Sequence, residues 1–276
     1  MTTTLRPAGP EEPGPGGSRA RGYRICVNSR PVGSLRLRTD PRFGPSVGRV
    51  EALEVDEPDR GRGRGTVAVL AAEEALRQWG CTRVEAVVPA AAEAAVRTAA
   101  ALGYTERSRT MVLDLSERPA GTRHRLPAGS AVRPMRQDEF GPWLDARCAE
   151  TVESLAGGGV PEEQAGAVAD SARGLLPDGP ATPGAALLVL EHQGERVGTL
   201  WVGTAEPAWV YAVEVDEARR GRGHGRALML AAENTAREAG AATLVLNVFA
   251  GNTAAVGLYD SLGYVVVDRC FAKPLL

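Results

Sequence analysis

The sequence has few of the residues that build metal centres and disulfide frameworks. It contains four cysteines and three histidines in 276 residues. The cysteines form no CxxC pair and the histidines form no HxH or HExxH pattern, so the usual spacing of metal ligands is missing. We therefore expect no metal site, and we expect the cysteines to be reduced, small apolar residues of a cytoplasmic protein.

Long apolar runs and a large excess of charge are also absent. No stretch approaches the roughly 18 apolar residues of a membrane span, and residues 1–22 lack the apolar region of a signal peptide. The net charge is −2 and the isoelectric point is about 6.0, whereas nucleic-acid-binding domains usually have an isoelectric point above about 9. These features predict a cytoplasmic globular protein that binds neither membranes nor nucleic acids.

What the sequence does contain is an internal repeat. The segment Glu54–Gly65 (EVDEPDRGRGRG) recurs as Glu214–Gly225 (EVDEARRGRGHG). The match extends without a gap from 44–104 to 204–264, and about two-fifths of the aligned positions are identical, far more than chance gives. The repeat therefore predicts two domains of similar fold.

The two copies differ at two positions that matter for chemistry. Asn252 and Tyr259 of the second copy align with Ala92 and Ala99 of the first. Because both copies keep the rest of the pattern, the fold does not require these two side chains.

Turn and linker signals give the boundaries of the domains. We expect a flexible segment rich in proline and glycine over 1–22, a first domain over 23–117, a linker over 118–130 and a second domain over 131–276. The first domain is shortened because it lacks the helical pair that the pattern predicts over 138–175. The helices as a whole are predicted over 66–79, 91–102, 138–155, 161–175, 226–239 and 253–262.

Each motif places a glycine-rich loop between a strand and a helix. Backbone N–H groups and the positive end of the helix dipole then meet at one point, which favours an anion. The GxGxG spacing lacks the final GK[ST] of a P-loop. It also fits the dinucleotide fingerprint GxGxxG poorly, since the third glycine comes one position early and no acidic residue ends the next strand. A nucleotide-binding oxidoreductase is therefore disfavoured.

The order of elements and the motif residues resemble the GCN5-related N-acetyltransferase (GNAT) superfamily. Its pyrophosphate loop has the form [RQ]xxGx[GA], which both copies match, and the stretch from Leu246 to Ala255 followed by Leu258-Tyr259 is typical of it. The resemblance covers most of 131–276 and, less completely, 23–115. It implies an α/β (α+β) protein of two tandem GNAT domains, each a mixed, mostly antiparallel central sheet flanked by helices.

The resemblance also implies which residues bind the cosubstrate acetyl-CoA. In that family the loop amides hold its pyrophosphate, and the strand before the loop pairs with its pantetheine arm. The matching residues of the second domain are Val213, Val215, Arg220, Gly221, Arg222, Gly223, His224, Gly225, Arg226, Asn252 and Tyr259. Those of the first domain are Arg60, Gly61, Gly63 and Gly65, although the sequence leaves open whether that domain still binds acetyl-CoA.

Tyr259 is the residue that the resemblance assigns as the general acid, which protonates the leaving thiolate. It follows Asn252 by two helical turns, so both side chains lie on one face of a helix. A tyrosine there can also be a half-buried core residue, but alanine at position 99 of the first copy speaks against a purely structural role. Asn252 also fits an ordinary helix N-cap.

Glu214 is the candidate general base, because several family members place a base beside the residue aligned with Val215. Glu54 occupies the same position in the copy without the tyrosine, so a structural role stays open. Some family members that acetylate protein N-termini carry glutamate at the position of Asn247, and its replacement here disfavours that substrate class.

We therefore predict an N-acetyltransferase that moves the acetyl group of acetyl-CoA to a primary amine of a small molecule. Attack is expected to be direct, in a ternary complex in the second domain, with the first domain chemically silent. The acidic residues of 138–175 favour a cationic amine, although they are also typical of a solvated helical surface. Two alternatives remain: a transferase similar to mycothiol synthase, which is also tandem, and a non-enzymatic module that senses acetyl-CoA. The sequence does not identify the acceptor or the oligomeric state.

Overall fold

The computed structural model describes residues 2–40, 43–116, 123–157 and 160–275 and contains two compact units. Unit 1 comprises Met1–Arg107, Leu155–Val168 and Asp268–Leu276. Unit 2 comprises Ser108–Ser154 and Ala169–Val267. Each unit thus combines most of one copy of the repeat with short segments from elsewhere in the chain.

Thirteen strands and six α-helices form in the described residues. The strands are β1 (Thr3–Pro7), β2 (Glu12–Pro13), β3 (Arg19–Val27), β4 (Arg30–Asp40), β5 (Gly44–Val55), β6 (Arg83–Pro89), β7 (Thr105–Asp114), β8 (Ser130–Pro134), β9 (Ala185–His192), β10 (Glu195–Gly203), β11 (Ala208–Val215), β12 (Thr243–Phe249) and β13 (Val265–Pro274). The helices are α1 (Arg64–Gln78), α2 (Glu93–Ala101), α3 (Gln137–Gly157), α4 (Glu162–Gly174), α5 (His224–Glu238) and α6 (Thr253–Leu262).

The sheet of unit 1 has the strand order β1-β3-β4-β5-β6-β13, with β2 on the edge of β3. Only β5 and β6 run parallel. The strand beside β6 comes from the end of the chain, since Asp268–Pro274 of β13 pair antiparallel with Arg83–Pro89. Phe271 and Leu275 from that segment are buried in the core of the unit.

The sheet of unit 2 has the equivalent order, β8-β9-β10-β11-β12-β7. Again only one pair, β11 with β12, is parallel. The strand beside β12 comes from the end of the first copy, since Ser108–Asp114 of β7 pair antiparallel with Thr243–Phe249. Each unit is therefore a mixed, mostly antiparallel sheet with helices against it, which confirms the predicted fold class.

The helix α5 shows how unit 2 forms its core. Its buried side chains recur at helical spacing, with Ala227 and Leu228 followed one turn later by Ala231 and Ala232. The small alanines let the helix approach the sheet, where Leu200, Leu244 and Leu246 are fully buried. A second cluster covers the opposite face of this sheet and contains Trp143, Leu144 and Cys148 of α3 together with Trp201 and Ala212.

The predicted helices end within about two residues of the observed ones, because capping glycines and apolar spacing mark them well. The segment 7–22 differs from its prediction. We expected no regular structure there, yet β2 pairs with the start of β3 through Glu12 and Ala20. Its prolines lie at edge-strand positions where no backbone N–H is needed for a hydrogen bond to the neighbouring strand, so they do not prevent pairing. Of the predicted linker, 118–122 lies outside the described residues.

Two further observations concern the described residues as a whole. Among their helices, none combines the length and apolar character that crossing a bilayer requires. Among their His, Cys, Asp and Glu side chains, no group of three or more is placed to hold a metal ion.

Candidate active site

The strand β11 leaves its parallel neighbour halfway along its length. The ladder between β11 and β12 ends at the pair Val210 and Leu246. At the next residue, Tyr211, β11 bulges, because Trp201 pairs with Ala212 while its neighbour Val202 pairs with Val210. Residues 212–215 therefore pair with β10 alone. Their other edge is open to an extended ligand arm that can pair as a strand does.

The glycine loop follows this open strand directly. Gly221 and Gly223 have φ angles of 75° and 83°, a left-handed conformation that glycine adopts without strain. The helix α5 begins at His224, and the N–H groups of residues 221–226 have no acceptor among the described residues. Six donors at a helix N-terminus form a site for an anion such as a pyrophosphate.

The arginines of the loop have separate roles. Arg220 fixes the loop to the strand, since its Nε donates to the carbonyl oxygen of Val215 at 3.2 Å. Arg226 donates to Ser261 Oγ at 2.5 Å and so links the start of α5 to the end of α6. Arg222 is exposed, so its charge remains available to a phosphate.

His224 lies at the first position of α5 and is buried. Its ring centroid is 5.0 Å from that of His192, whose Nδ1 is 3.0 Å from Ser130 Oγ. Burial lowers the pKa of His224, and the nearby His192, Arg222 and Arg219 lower it further. At neutral pH the ring is therefore uncharged.

Tyr259 lies on α6, and this helix contacts the glycine loop. A Cβ added at Gly225 would meet Leu258 Cδ2 at 3.3 Å and Val215 Cγ2 at 4.0 Å, so the helix, the loop and the open strand converge at one point. Tyr259 is 9% exposed, and its ring centroid lies 5.8 Å from that of the buried Tyr264. Burial raises the pKa of Tyr259, which keeps it protonated as a general acid must be.

Asn252 is the N-cap of α6, as its side-chain oxygen accepts the N–H of Ala255 at 3.1 Å. The capping role anticipated for this residue is therefore observed. Ala92 at the aligned position of the first copy caps nothing. Asn252 is exposed, so its amide nitrogen can still reach a ligand.

Glu214 lies on the open part of β11 and is held from two sides. Thr199 Oγ1 of β10 donates to its Oε2 at 3.1 Å, and Arg147 Nη1 of α3 forms an ion pair with its Oε1. No sequence motif predicted a role for Arg147. The only signal that pointed near it was the absence of a helical pair from the first copy.

Unit 1 repeats the strand and the loop but not the rest. The ladder of β5 and β6 ends at Val50 and Ala86, and β5 bulges at Glu51. Gly61 and Gly63 have φ angles of 70° and 71°, and the N–H groups of residues 61–66 have no acceptor among the described residues. Arg60 fixes the loop like its counterpart, since its Nε donates to the Val55 carbonyl oxygen at 2.7 Å.

Comparison with known proteins identifies the family. The sequence model of the Acetyltransferase (GNAT) family matches residues 13–104 and 162–264. The two matches cover more than half of the chain, so this protein belongs to the GNAT family of acetyltransferases, which use acetyl-CoA as cosubstrate. The recognition of two GNAT domains from the sequence is thereby confirmed.

Individual relatives agree with this assignment. The uncharacterized N-acetyltransferase YycN of Bacillus subtilis is 32% identical over 153 residues, which are 52% of this chain and 97% of YycN. The mycothiol acetyltransferase of Thermobispora bispora is 35% identical over 179 residues, which are 62% of this chain and 58% of that protein. For several of the curated relatives that it matches, the chain spans only 45–59% of their length.

One solved structure shares the tandem arrangement. A tandem GNAT protein from the clavulanic acid biosynthesis pathway superposes with a TM-score of 0.51 at 23% identity, over 96% of this chain and 85% of that one. At this identity the likeness shows the fold alone.

Proposed function

We propose that unit 2 transfers the acetyl group of acetyl-CoA to the primary amine of a small molecule. The convergence at Gly225 of the open strand, the donor-rich loop and α6, the helix that carries Tyr259, supports this proposal. The pyrophosphate would lie on the N–H groups of 221–226 beside Arg222, and the pantetheine arm would lie along Val213 and Val215. The loop offers left-handed glycines and free N–H groups, and the strand offers an open edge, so both places fit the cosubstrate.

The chemistry is a direct attack in a ternary complex. The amine nitrogen forms a bond to the thioester carbon while the backbone N–H of Val215 polarises the carbonyl group. The carbon–sulfur bond then breaks, and the thiolate takes the proton of Tyr259. The proton that the nitrogen loses after attack returns to the tyrosine, and the proton that the ammonium gives up before attack passes to solvent.

Glu214 is the group we assign to the substrate ammonium. An ammonium must lose one proton before it can attack, and a carboxylate on the open strand can accept that proton directly or through water. Thr199 and Arg147 hold the carboxylate in place. In unit 1 the aligned Glu54 is three-quarters exposed, and its nearest charged partner is Arg60 at 3.8 Å.

The acidic residues of the helical pair give less support for a cationic acceptor than the composition suggested. Glu139 is bound by Arg133 and Arg136, and Asp145 is bound by Arg173. These ion pairs neutralise part of the negative charge of 138–175, so we expect Glu214 and its neighbours to select the acceptor.

A thiol-release screen tests the proposed function. The full chain is incubated with acetyl-CoA and a set of amines, aminoglycosides and peptides, and free coenzyme A is measured. We expect thiol release with small amines and little with peptides. A pure acetyl-CoA sensor would bind the coenzyme, as calorimetry reports, and release thiol with none of them.

A second candidate function rests on the relatives. Several of them are named mycothiol acetyltransferase, at 32–35% identity over 152 and 179 residues for two of them. Because the chain spans about half of their length, we keep this activity as the alternative. An aminoglycoside-like thiol with a free amine belongs in the screen, and a strong preference for it would favour the alternative.

We also propose that the loop of unit 1 still binds the coenzyme pyrophosphate. The φ angles of Gly61 and Gly63 require glycine for the turn itself, so their retention proves little. Gly65 is more informative. Its φ is ordinary and a Cβ there would meet nothing nearer than 3.9 Å, yet glycine is kept. Close approach of a ligand explains this.

Calorimetry of the full chain tests that second site. Two acetyl-CoA sites, one abolished by Gly63→Glu and the other by Gly223→Glu, support it. A single site that is lost with Gly223→Glu and unchanged with Gly63→Glu contradicts it. Gly65→Ala is the gentler probe, because the added methyl group has room in the free protein.

A further inference from the structure

The ion pair between Arg147 and Glu214 lies where the acceptor must bind, if the proposed acetyl transfer holds. Glu214 is on the open part of β11, next to the strand residue Val215 that meets the loop and α6. The pair is partly open to solvent, with side-chain exposures of 23% for Arg147 and 31% for Glu214. An acceptor can therefore reach both charges.

Arg147 is positioned firmly and has donors to spare. Its guanidinium carbon lies 5.8 Å from the ring centroid of Trp143, one helical turn earlier on α3, and that tryptophan is buried. Among the described residues its side chain donates only to Glu214. A guanidinium carries five N–H donors in a planar fork, which suits a carboxylate bound through two hydrogen bonds.

The free energy of this ion pair restricts which amines can displace Arg147 from Glu214. An amine that carries only a positive charge would have to compete with Arg147 for Glu214 and would leave the arginine without an anion. Breaking a partly buried ion pair on one side alone is costly. An acceptor with an ammonium and a carboxylate pairs both ions again, the ammonium with Glu214 and the carboxylate with Arg147.

We propose that Arg147 determines specificity by selecting amines that carry a carboxylate close to the reacting nitrogen, which makes the acceptor an amino acid. Unit 1 supports this division of roles. It keeps a glutamate at the position of Glu214, but its described residues contain no counterpart of α3 and therefore no counterpart of Arg147.

The test compares three matched acceptors with the full chain: an amino acid, its methyl ester and the amine that lacks the carboxyl group. We expect the kcat/KM for the amino acid to exceed those of the other two by about 100-fold or more. The ester has the less basic amine, so more of it is unprotonated at neutral pH. A preference for the acid therefore cannot arise from amine reactivity, and equal use of the three would overturn the inference.

Variants of Arg147 test whether this residue causes the preference for the amino acid. We expect Arg147→Gln to lower the kcat/KM for the amino acid by about 100-fold, mainly through KM, and to lower the kcat/KM for the simple amine much less, because the simple amine loses only the support that Arg147 gives to Glu214. Arg147→Lys keeps the charge without the planar fork and should restore part of the loss. Arg173→Gln on α4 is the control, since this arginine pairs with Asp145 and should leave all three acceptors unchanged.

Two other outcomes are informative. If Arg147→Gln speeds the simple amine, the arginine blocks the site and does not recognise substrate, so the inference is wrong. If no acceptor of any kind is acetylated while acetyl-CoA still binds, the proposed function itself fails. The comparison of acid and ester uses the unchanged protein and does not depend on the folding of any variant.

Discussion

The bulged residue of the open strand marks the difference between the two units. In unit 2 it is Tyr211, whose ring stacks on Trp201 at a centroid distance of 4.6 Å, and Trp201 in turn meets Trp143 of α3 edge-on at 6.1 Å. In unit 1 the equivalent positions hold Glu51 and Arg36, whose side chains form an ion pair at 3.2 Å.

Unit 1 has therefore not simply lost two helices. The face that α3 covers in unit 2 carries paired charges in unit 1, where Glu51 binds both Arg36 and Arg38 and Arg36 also binds Glu12. A charged, solvated face does not need a helix to cover it. The surface that would line an acceptor site has therefore been replaced by one that is stable in water.

The largest expected effect concerns Tyr259, the proposed general acid. We expect Tyr259→Phe to lower kcat by about 100-fold or more with little change in acetyl-CoA affinity, because a general acid contributes roughly 10² to 10⁴. Stopped-flow or steady-state thiol release measures it. The converse change, Ala99→Tyr, should add no activity to a chain that carries Tyr259→Phe. Turnover regained by that double variant would show that unit 1 still has a working acceptor site.

The second effect concerns a pair of charges that is reversed between the units. In unit 1, Asp59 is buried and binds Arg30 at 2.9 Å and Arg64. We expect Asp59→Asn to destabilise the protein by about 3 kcal/mol or more, because it leaves the buried Arg64 without its anion. Urea unfolding measures the change.

The matched control for Asp59 is Arg219, which occupies the aligned position in unit 2 and binds Glu195 on the surface. Arg219→Gln should cost between about 0 and 1 kcal/mol. Equal losses for the two variants would mean that burial does not distinguish the pairs.

The third effect concerns the attachment of α3, which unit 1 lacks. Arg133 binds both oxygens of Glu139 at 2.7 and 2.8 Å, and Glu139 also accepts the N–H of Arg136. The Arg133 guanidinium lowers the pKa of Glu139 to about 2. We expect Glu139→Gln to cost about 1.5 to 3 kcal/mol at pH 7.

The pH dependence of that loss has a definite sign. Because the pKa of Glu139 is lower in the folded protein than its ordinary value of 4.5, its contribution is complete above that pH and disappears as the pH falls towards 2. The unfolding curves of wild type and Glu139→Gln should therefore converge in acid. A difference that stays constant with pH would contradict the assignment.

The smallest effect concerns His224, where unit 1 has Arg64. Burial lowers the pKa of His224 below its ordinary value of 6.5, so the unfolded chain takes up its proton first as the pH falls. The wild type should lose stability below that pH, and His224→Gln should remove part of this loss. Thermal unfolding between pH 7 and pH 5 measures it, and parallel profiles would show that another group is responsible.

The features that could be predicted from the sequence are those that the internal repeat and local residue patterns mark. The glycine loop, the helix bounds and the place of Tyr259 on α6 follow from spacing and capping residues, which act locally. Arg147 could not be found this way, because its role depends on where α3 lies against β11 and its own neighbours in sequence carry no motif. The same holds for the stacked Tyr211 and Trp201, which meet only because a bulge shifts the register.

The partners of β7 and β13 could not be predicted for a related reason. The two strands occupy aligned positions of the repeat and have similar apolar alternation, so either could close either sheet. Only tertiary packing decides that β7 lies beside β12 and that β13 lies beside β6.

The position of β13 has a consequence for synthesis of the chain. Residues 268–274 pair with β6, whose residues are made on the order of 185 positions earlier. Until β13 has been made, β6 has one uncovered edge, to which another nascent chain could add. Unit 1 therefore completes its sheet only after β13 has been made, and a variant truncated after Val267 would damage the unit that is made first.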